Sequence, residues 1–449
     1  MKRIHFIAIG GAAMHNLAIA LKNKGYLITG SDDEIFEPAK SHLESKGLLP
    51  EKVGWDPSRI TNDLDGIILG MHARSDNPEL LKAQELGIKI YSYPEYLYEQ
   101  TKNKKRVVIA GSHGKTTITA MIIHVLTTCK KSFDFMVGSQ IDGFDTMVSL
   151  NDSSNIAIFE GDEYLSSPLD LRPKFIHYKP NIALISGISW DHINVFPTFD
   201  GYVEQFRILA RLIEENGSIV YFSGDENVVT VANEASLKVR RFPYKEHEHI
   251  VIQGKTFLLG KDNVKTPLLI FGRHNLQNIN GARMVCGQLG ISDPKFYAAI
   301  STFSGTSKRL QVLKKTDDEV IYLDFAHSPS KVKATIQAVK EQFPDKKLTA
   351  VFELHTFSSL NKEFIPQYKG TLDLADEPIV FYNEEVLLHK RLPNLSMEFI
   401  YDSFHSEKLK VFSKKEDLEK FFSGLKMKNS VLLLMSSGNF AGIDLNKIG

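Results

Sequence analysis

The residues best able to do chemistry lie together in Gly111-Ser112-His113-Gly114-Lys115-Thr116-Thr117. A β-branched apolar run (Val107, Val108, Ile109) precedes them, and Ile118, Met121, Ile122 and Val125 follow at helical spacing. Strand, glycine-rich turn and a helix opening at a Lys-Thr pair make a phosphate cradle. Glycines let backbone N–H groups close around an anion, and the helix N-terminus adds partial positive charge. The lysine can reach β/γ-phosphates, and the hydroxyl after it can hold Mg²⁺. The strict pattern has another glycine where Ile109 stands, so this is a shortened version. An ordinary tight turn is the alternative. The coincidence of strand, two glycines and Lys-Thr-Thr favours a nucleoside triphosphate site.

Other candidates sit where strands should end. Residues 155–159 read as a strand delivering Glu160-Gly161-Asp162-Glu163, and residues 182–186 as one leading to Ser189-Trp190-Asp191-His192. Open α/β sheets place ligands at such carboxyl ends. Glu160 there suits Mg²⁺, with a solvated turn as the alternative, whereas imidazole makes His192 by itself a poor Mg²⁺ ligand. His274, Asn275 and Asn278, in FGRHNLQN, precede a helical pattern, where capping is the stronger local reading. Gly10 and Gly11 lie in AIGGAAM, where a dinucleotide fingerprint would be, but alanine fills two of its three glycine places. Ser31 and Asp32 follow the second strand, where an acidic residue often meets a ribose hydroxyl. A nucleotide pocket and plain βα packing are equally open there.

These residues need a scaffold of alternating strands and helices. At 449 residues the chain has room for two to four domains. Residues 1–104 alternate strand and helix, residues 105–305 are headed by the phosphate loop, and residues 306–449 open a third α/β unit whose first strand ends in Asp324-Phe325-Ala326-His327. The 54 Lys+Arg balance 54 Asp+Glu, so no overall field favours nucleic acid or an anionic membrane. Cys129 and Cys286 are far apart and form no metal-ligand spacing, which suits a reducing cytoplasm. The N-terminus could pass for a signal peptide, but His5, His15 and Asn16 interrupt the apolar region and a strand–turn–helix fits better. No run approaches the ~18 apolar residues of a membrane span.

Taken in order, GSHGKTT, EGDE, Asp191-His192, GRHNLQN, Ser307-Lys308-Arg309-Leu310-Gln311 and DFAHSPSKVKATI resemble the motifs of the Mur ligases over essentially the whole chain. These are cytoplasmic ATP-dependent amide-forming enzymes of peptidoglycan synthesis. The resemblance implies three α/β domains: a Rossmann-like N-terminal domain for a UDP-sugar, a phosphate-loop ATPase, and a Rossmann-like domain for the amino acid or peptide. HFIAIGGAAMHNLA is similar to the muramate branch, which binds UDP-N-acetylmuramate. Within that branch two acceptors compete. FIHY and LLLMSSGNFAGI resemble members that add the tripeptide L-alanyl-γ-D-glutamyl-meso-diaminopimelate during recycling. FELHT is mixed, its FEL resembling those members and its histidine the members that add L-alanine. The tripeptide is the favoured reading.

By the resemblance, the phosphate loop from Gly111 to Thr117 binds ATP. Lys115 contacts its phosphates, and Thr116, Glu160 and His192 hold Mg²⁺. His274, Asn275 and Asn278 surround adenine, Arg309 reaches the phosphates, and Asp324 and His327 meet the ribose and cleft. Gly10, Gly11, Ser31 and Asp32 line the UDP-sugar, and a monomer or weak homodimer is expected. Two departures stand out. No lysine occurs between Asp191 and Lys238, so the carbamoylated lysine of many Mur ligases is not expected. Alanine at positions 8 and 13 alters how closely the first turn can approach a diphosphate. A folylpolyglutamate-synthase-like enzyme, disfavoured by the N-terminal domain, and a non-catalytic nucleotide- and UDP-sugar-binding protein are the rivals.

Overall fold

Strands that feed right-handed helical crossovers must lie parallel and be covered on both faces, and this chain's aliphatic runs do so. The computed structural model describes every residue except 142, 191–194, 262–263, 307–308, 317 and 449, and the side chain of residue 446. It divides into two compact units, residues Met1–His247 with Gln277–Ile300, and Glu248–Leu276 with Ser301–Gly449.

The first unit holds two main sheets. Four parallel strands run in the order Leu27–Ser31, Arg3–Ile7, Gly66–Leu69, Ile90–Ser92. The N-terminal apolar stretch is therefore an inner strand followed by the helix Ala12–Asn23. A seven-stranded sheet follows, ordered Arg240–Tyr244, Ser218–Phe222, Ile182–Ile185, Lys105–Ala110, Ile156–Glu160, Asp134–Met136, Val148–Ser149. Its neighbours pair in parallel apart from the last two strands. The helix Lys115–Thr128 is buried over most of its surface, and it packs Ile118, Met121, Ile122 and Val125 against the sheet and the helix Asp293–Ile300. Tyr93 and Leu97, beside the first sheet, share one core with Phe175 and Tyr178 beside the second. That continuity joins residues 1–104 and the start of the central stretch in a single unit.

In the second unit a six-stranded sheet runs Gln311–Lys315, Glu319–Asp324, Ser430–Met435, Lys347–Leu354, Glu377–Tyr382, Lys410–Phe412, antiparallel at its first pair and parallel elsewhere. Three short antiparallel strands, His249–Ile252, Lys255–Leu259 and Lys265–Pro267, belong to this unit. Residues 248–276 fall within the central stretch, residues 105–305, expected from the sequence. They group here because Thr256 donates to Gln342 Oε1 at 2.9 Å and Phe271 packs edge-on to Tyr322 and Phe343. Among the described residues no helix is long and apolar enough to cross a membrane.

Candidate active site

The strand Lys105–Ala110 ends in a loop whose backbone needs glycine twice. Gly111 has φ 129° and Gly114 φ 79°, a region that side chains strain. A Cβ on Gly111 would also run into Ser186 Oγ, and one on Gly114 into Asn278 Oδ1. Gly114 caps the helix Lys115–Thr128, which leaves the free N–H groups of the first turn, with the buried Thr117, at the loop. Ser112 fastens the loop to the next strand end: its N–H donates to Gly187 O at 2.9 Å, its hydroxyl donates to Ser189 O at 2.8 Å, and it accepts from Ser189 N–H at 2.7 Å. The Ser186 hydroxyl donates to the His113 carbonyl, and Gln277 Nε2 donates to Ser186 O at 2.8 Å. Asp191 and His192, next along that segment, lie outside the described residues, as do Ser307 and Lys308.

Carboxylates converge on the same loop. Lys115 Nζ donates to Gly111 O at 2.7 Å and to Glu163 Oε2 at 2.8 Å. Burial pulls the ammonium's pKa down, but the charges of Glu163, Asp162 and Glu160 outweigh it and hold the pKa above its usual value. Lys115 is therefore a fixed cation. Thr116 Oγ1 donates to Glu160 Oε1 at 2.8 Å, and Gly138 N–H to Glu160 Oε2 at 2.7 Å. Burial nevertheless pushes the Glu160 carboxyl up, against those bonds and the field of Lys115. Burial acts in the same direction on Asp162, but there Lys174, 2.6 Å away, and Lys115 prevail and hold the carboxyl below its usual range.

A hydroxyl bonded to a buried carboxylate is a hard-oxygen donor pair of the kind Mg²⁺ takes, and a divalent cation would relieve a carboxylate that burial penalises. The donors Thr116 and Glu160 thus fit the metal expected from the sequence. Two contributors carry no local mark of their role in the sequence. Glu163 was visible as the last residue of EGDE, but nothing local marks it as the partner of Lys115. Gly138 carries no local signal; it arrives because the strand Asp134–Met136 pairs with Ile156–Glu160.

In the second unit, Asp324 ends the strand Glu319–Asp324 and accepts from Leu310 N–H and Ala326 N–H, each at 2.8 Å, so it anchors the turn after Arg309. The Arg309 guanidinium stands 5.0 Å from the Phe325 ring centre. His327 Nδ1 lies 2.8 Å from Phe325 O, and Tyr368 donates its hydroxyl to the His327 carbonyl. Burial lowers the pKa of His274, with Asp324 opposing and Arg309 reinforcing. His274, Arg309 and Asp324 therefore share one electrostatic environment. Asn275 is bound locally, its Nδ2 donating to Phe271 O at 2.8 Å. Asn278 falls in the first unit, beside Gly114.

At the N-terminal sheet, Gly10 N–H donates to Asp32 Oδ2 at 2.7 Å. A Cβ on Gly10 would stand 2.9 Å from that oxygen. Ser31 donates to Glu79, which also accepts from Asp56 N–H at 2.8 Å and faces His5 Nε2 at 3.4 Å. Gly11 caps the helix Ala12–Asn23. Ala8 takes φ 69°, the left-handed path glycine would follow, at a cost of about 1 kcal/mol. Burial, assisted by Asp33 and opposed by Gly10 N–H, pushes the Asp32 carboxyl up to about 6.

A carboxyl raised on folding binds its proton more tightly in the native state, so it removes stability as pH rises from the ordinary carboxylate range to its own raised value. Asp32→Asn is therefore expected to gain stability relative to the native protein between about pH 4 and pH 6, with a plateau above. Urea unfolding across that range measures it, and a pH-independent difference would refute the assignment.

Three family profiles match the chain: "Mur ligase family, catalytic domain" over residues 3–105, "Mur ligase middle domain" over 109–286, and "Mur ligase, glutamate ligase domain" over 308–438. A UDP-N-acetylmuramate–L-alanine ligase of Caldicellulosiruptor saccharolyticus is 33% identical over 85% of this chain and 83% of its own. Among solved structures, a UDP-N-acetylmuramate–alanine ligase from Thermotoga maritima superposes with TM-score 0.73 at 22% identity, covering 98% of this chain and 97% of its own. A murein peptide ligase from Psychrobacter arcticus superposes with TM-score 0.64 at 22% identity, covering 99% and 97%. At that identity these structures share the fold.

Proposed function

The chain belongs to the Mur ligase family of ATP-dependent amide ligases, and from that premise we propose that it joins the lactyl carboxylate of UDP-N-acetylmuramate to the amine of L-alanyl-γ-D-glutamyl-meso-diaminopimelate. A carboxylate does not accept an amine at neutral pH, because its oxygen is too poor a leaving group. In the proposed route a carboxylate oxygen attacks the γ-phosphorus of ATP, the bond to the β-phosphate oxygen breaks, and ADP leaves an acyl phosphate behind. The amine then attacks the acyl carbon, the carbon–oxygen bond to phosphate breaks, and inorganic phosphate departs as the amine loses its proton.

The protein's part is positioning and charge. The observation that carries the reading is the pairing of a half-buried, charged Lys115 with the Thr116–Glu160 donor set at the head of one helix. Lys115 and the first-turn N–H groups would hold the terminal phosphates. Thr116 and Glu160 would hold Mg²⁺, which supplies charge neutralisation on phosphate oxygens. Gly10, Gly11, Ser31 and Asp32 would receive the UDP-sugar.

For the acceptor, LLLMSSGNFAGI, which resembles the tripeptide-adding members, meets the mixed segment FELHT in the second unit. Glu353, buried within FELHT, accepts from Phe440 N–H at 2.9 Å and from the Ser436 hydroxyl of MSSGNF. A Cβ on Gly438 would stand 2.6 Å from His355 Nδ1, so the two segments are built as one surface. L-alanine as acceptor is the second reading, favoured by the activity named for the relative at 33% identity. ADP release from ATP, Mg²⁺ and UDP-N-acetylmuramate separates them. The tripeptide is expected to support turnover and free L-alanine not; faster release with L-alanine would replace the first reading with the second. No release with either amine would leave a binding protein.

A further inference from the structure

A second cluster of ligating groups lies away from the phosphate loop, also within the first unit. Glu95, Asp170 and His177 each offer a ligand atom, and the three atoms lie within 4.8 Å of one another. Each is placed by its own local structure. Glu95 belongs to the capping box of the helix Tyr93–Thr101, where its Oε2 accepts from Ser92 N–H at 2.8 Å and Ser92 Oγ at 2.9 Å, which fixes the carboxylate. Asp170 opens the hairpin strand Asp170–Pro173, its Oδ1 accepting from Arg172 N–H at 3.0 Å. His177 sits in the short 3₁₀ turn Lys174–Tyr178 with its side chain 6% exposed. Glu95 and His177 border a cavity of about 310 Å³ that could admit water as further ligands.

The second observation concerns His177 itself. Its Nε2 is buried and makes no hydrogen bond, although Asp170 Oδ2 is only 3.2 Å away. A buried nitrogen left in this way costs about 1–3 kcal/mol unless something else satisfies it. Two donor atoms that face each other without a hydrogen bond have the spacing of two ligands on one ion. With bonds of about 2.0–2.1 Å, the edge of a tetrahedral site is roughly 3.3 Å.

We propose that Glu95, Asp170 and His177 form a binding site for a divalent transition-metal ion of the Zn²⁺ class. One imidazole with two carboxylates suits such an ion and disfavours Mg²⁺ or Ca²⁺, which take oxygen ligands almost exclusively. Arg172 holds Asp170 through Nη2–Oδ2 at 2.6 Å and Nε–Oδ1 at 2.9 Å, so the ion must displace a guanidinium whose side chain is 61% exposed and can turn into solvent. The bound ion would tie the helix Tyr93–Thr101, at the edge of the first sheet, to the segment that carries Lys174 and reaches the carboxylates of the phosphate loop. It is distinct from the Mg²⁺ donors Thr116 and Glu160.

The test uses the full-length protein stripped of metal, with Zn²⁺ binding followed by equilibrium dialysis and Co²⁺ followed by its visible d–d absorption. The native protein is expected to bind one equivalent that His177→Gln loses, and Asp170→Asn to bind it at least about tenfold more weakly. Glu160→Ala is expected to retain it. Zn²⁺ should raise the Tm of the native protein and leave that of His177→Gln unchanged. If His177→Gln fails to fold, Glu95→Gln, which keeps an acceptor oxygen for Ser92, takes its place. Equal stoichiometry and equal Co²⁺ spectra in native and variant proteins would overturn the proposal.

Discussion

Lys115→Met is expected to lower ADP release by at least about 100-fold, because it removes a desolvated cation aimed at the charge that moves during phosphoryl transfer. The same substitution has a structural consequence that must be separated from the chemical one. Lys115 Nζ lies 2.8 Å from Glu163, whose side chain is 1% exposed. Deleting the cation takes the Lys115 ammonium away from that buried carboxylate, at a cost of about 3–5 kcal/mol. The double substitution Lys115→Met with Glu163→Gln removes both charges and keeps a side-chain oxygen for the Tyr202 hydroxyl, which donates to Glu163 Oε1 at 3.1 Å. Urea unfolding should show most of the lost stability restored in the double variant, while ADP release stays at the level of Lys115→Met. If turnover returned along with stability, Lys115 would be a structural residue and the phosphate assignment would fail.

Glu160→Gln is expected to raise the Mg²⁺ concentration for half-maximal turnover by at least about tenfold. Gln keeps the size of the side chain but presents an amide nitrogen where both neighbours, Thr116 Oγ1 and Gly138 N–H, donate to oxygen. A pH profile distinguishes loss of a ligand from loss of packing. Burial raises the Glu160 pKa, and Mg²⁺ binds the ionised carboxylate, so the native protein should lose Mg²⁺ affinity on acidification earlier than an ordinary carboxylate would allow. The Gln variant should lose that dependence. For stability without metal the sign runs the other way. The native state holds the Glu160 proton more tightly than the unfolded chain, so stability falls as pH rises between the ordinary and the raised value. Glu160→Gln should therefore gain relative to the native protein over that window, and Mg²⁺ with ATP should narrow the gap. An unchanged Mg²⁺ profile would count against the assignment.

The local structure of the phosphate loop is legible in the sequence. Val107 to Ile109 have no polar alternation because the strand is covered on both faces, which marks it as an inner strand of a parallel sheet. Gly111 and Gly114 were readable because their positive φ is a local demand that few other residues meet. Glu160 was readable as a carboxylate at a strand end. The resemblance to the Mur ligases, built on motifs in order, extended this to the family and to three α/β domains. Asn275 matches the motif, and what only the structure adds is that one of its amide N–H groups donates to the carbonyl one turn earlier.

What the sequence by itself determined is whatever depends on neighbours in the chain: strand and helix periodicity, the left-handed glycines, the Lys-Thr helix start, and the capping box that places Glu95. What only the tertiary structure decided is partner choice across long separations. Glu163 rather than Asp162 meets Lys115, Gly138 rather than a side chain completes Glu160, Asn278 crowds Gly114, and His177 faces Asp170 without bonding to it. Each of these depends on which strands become neighbours in the sheets. That order is set by how all the apolar faces are buried at once, and no local stretch of the chain carries the information.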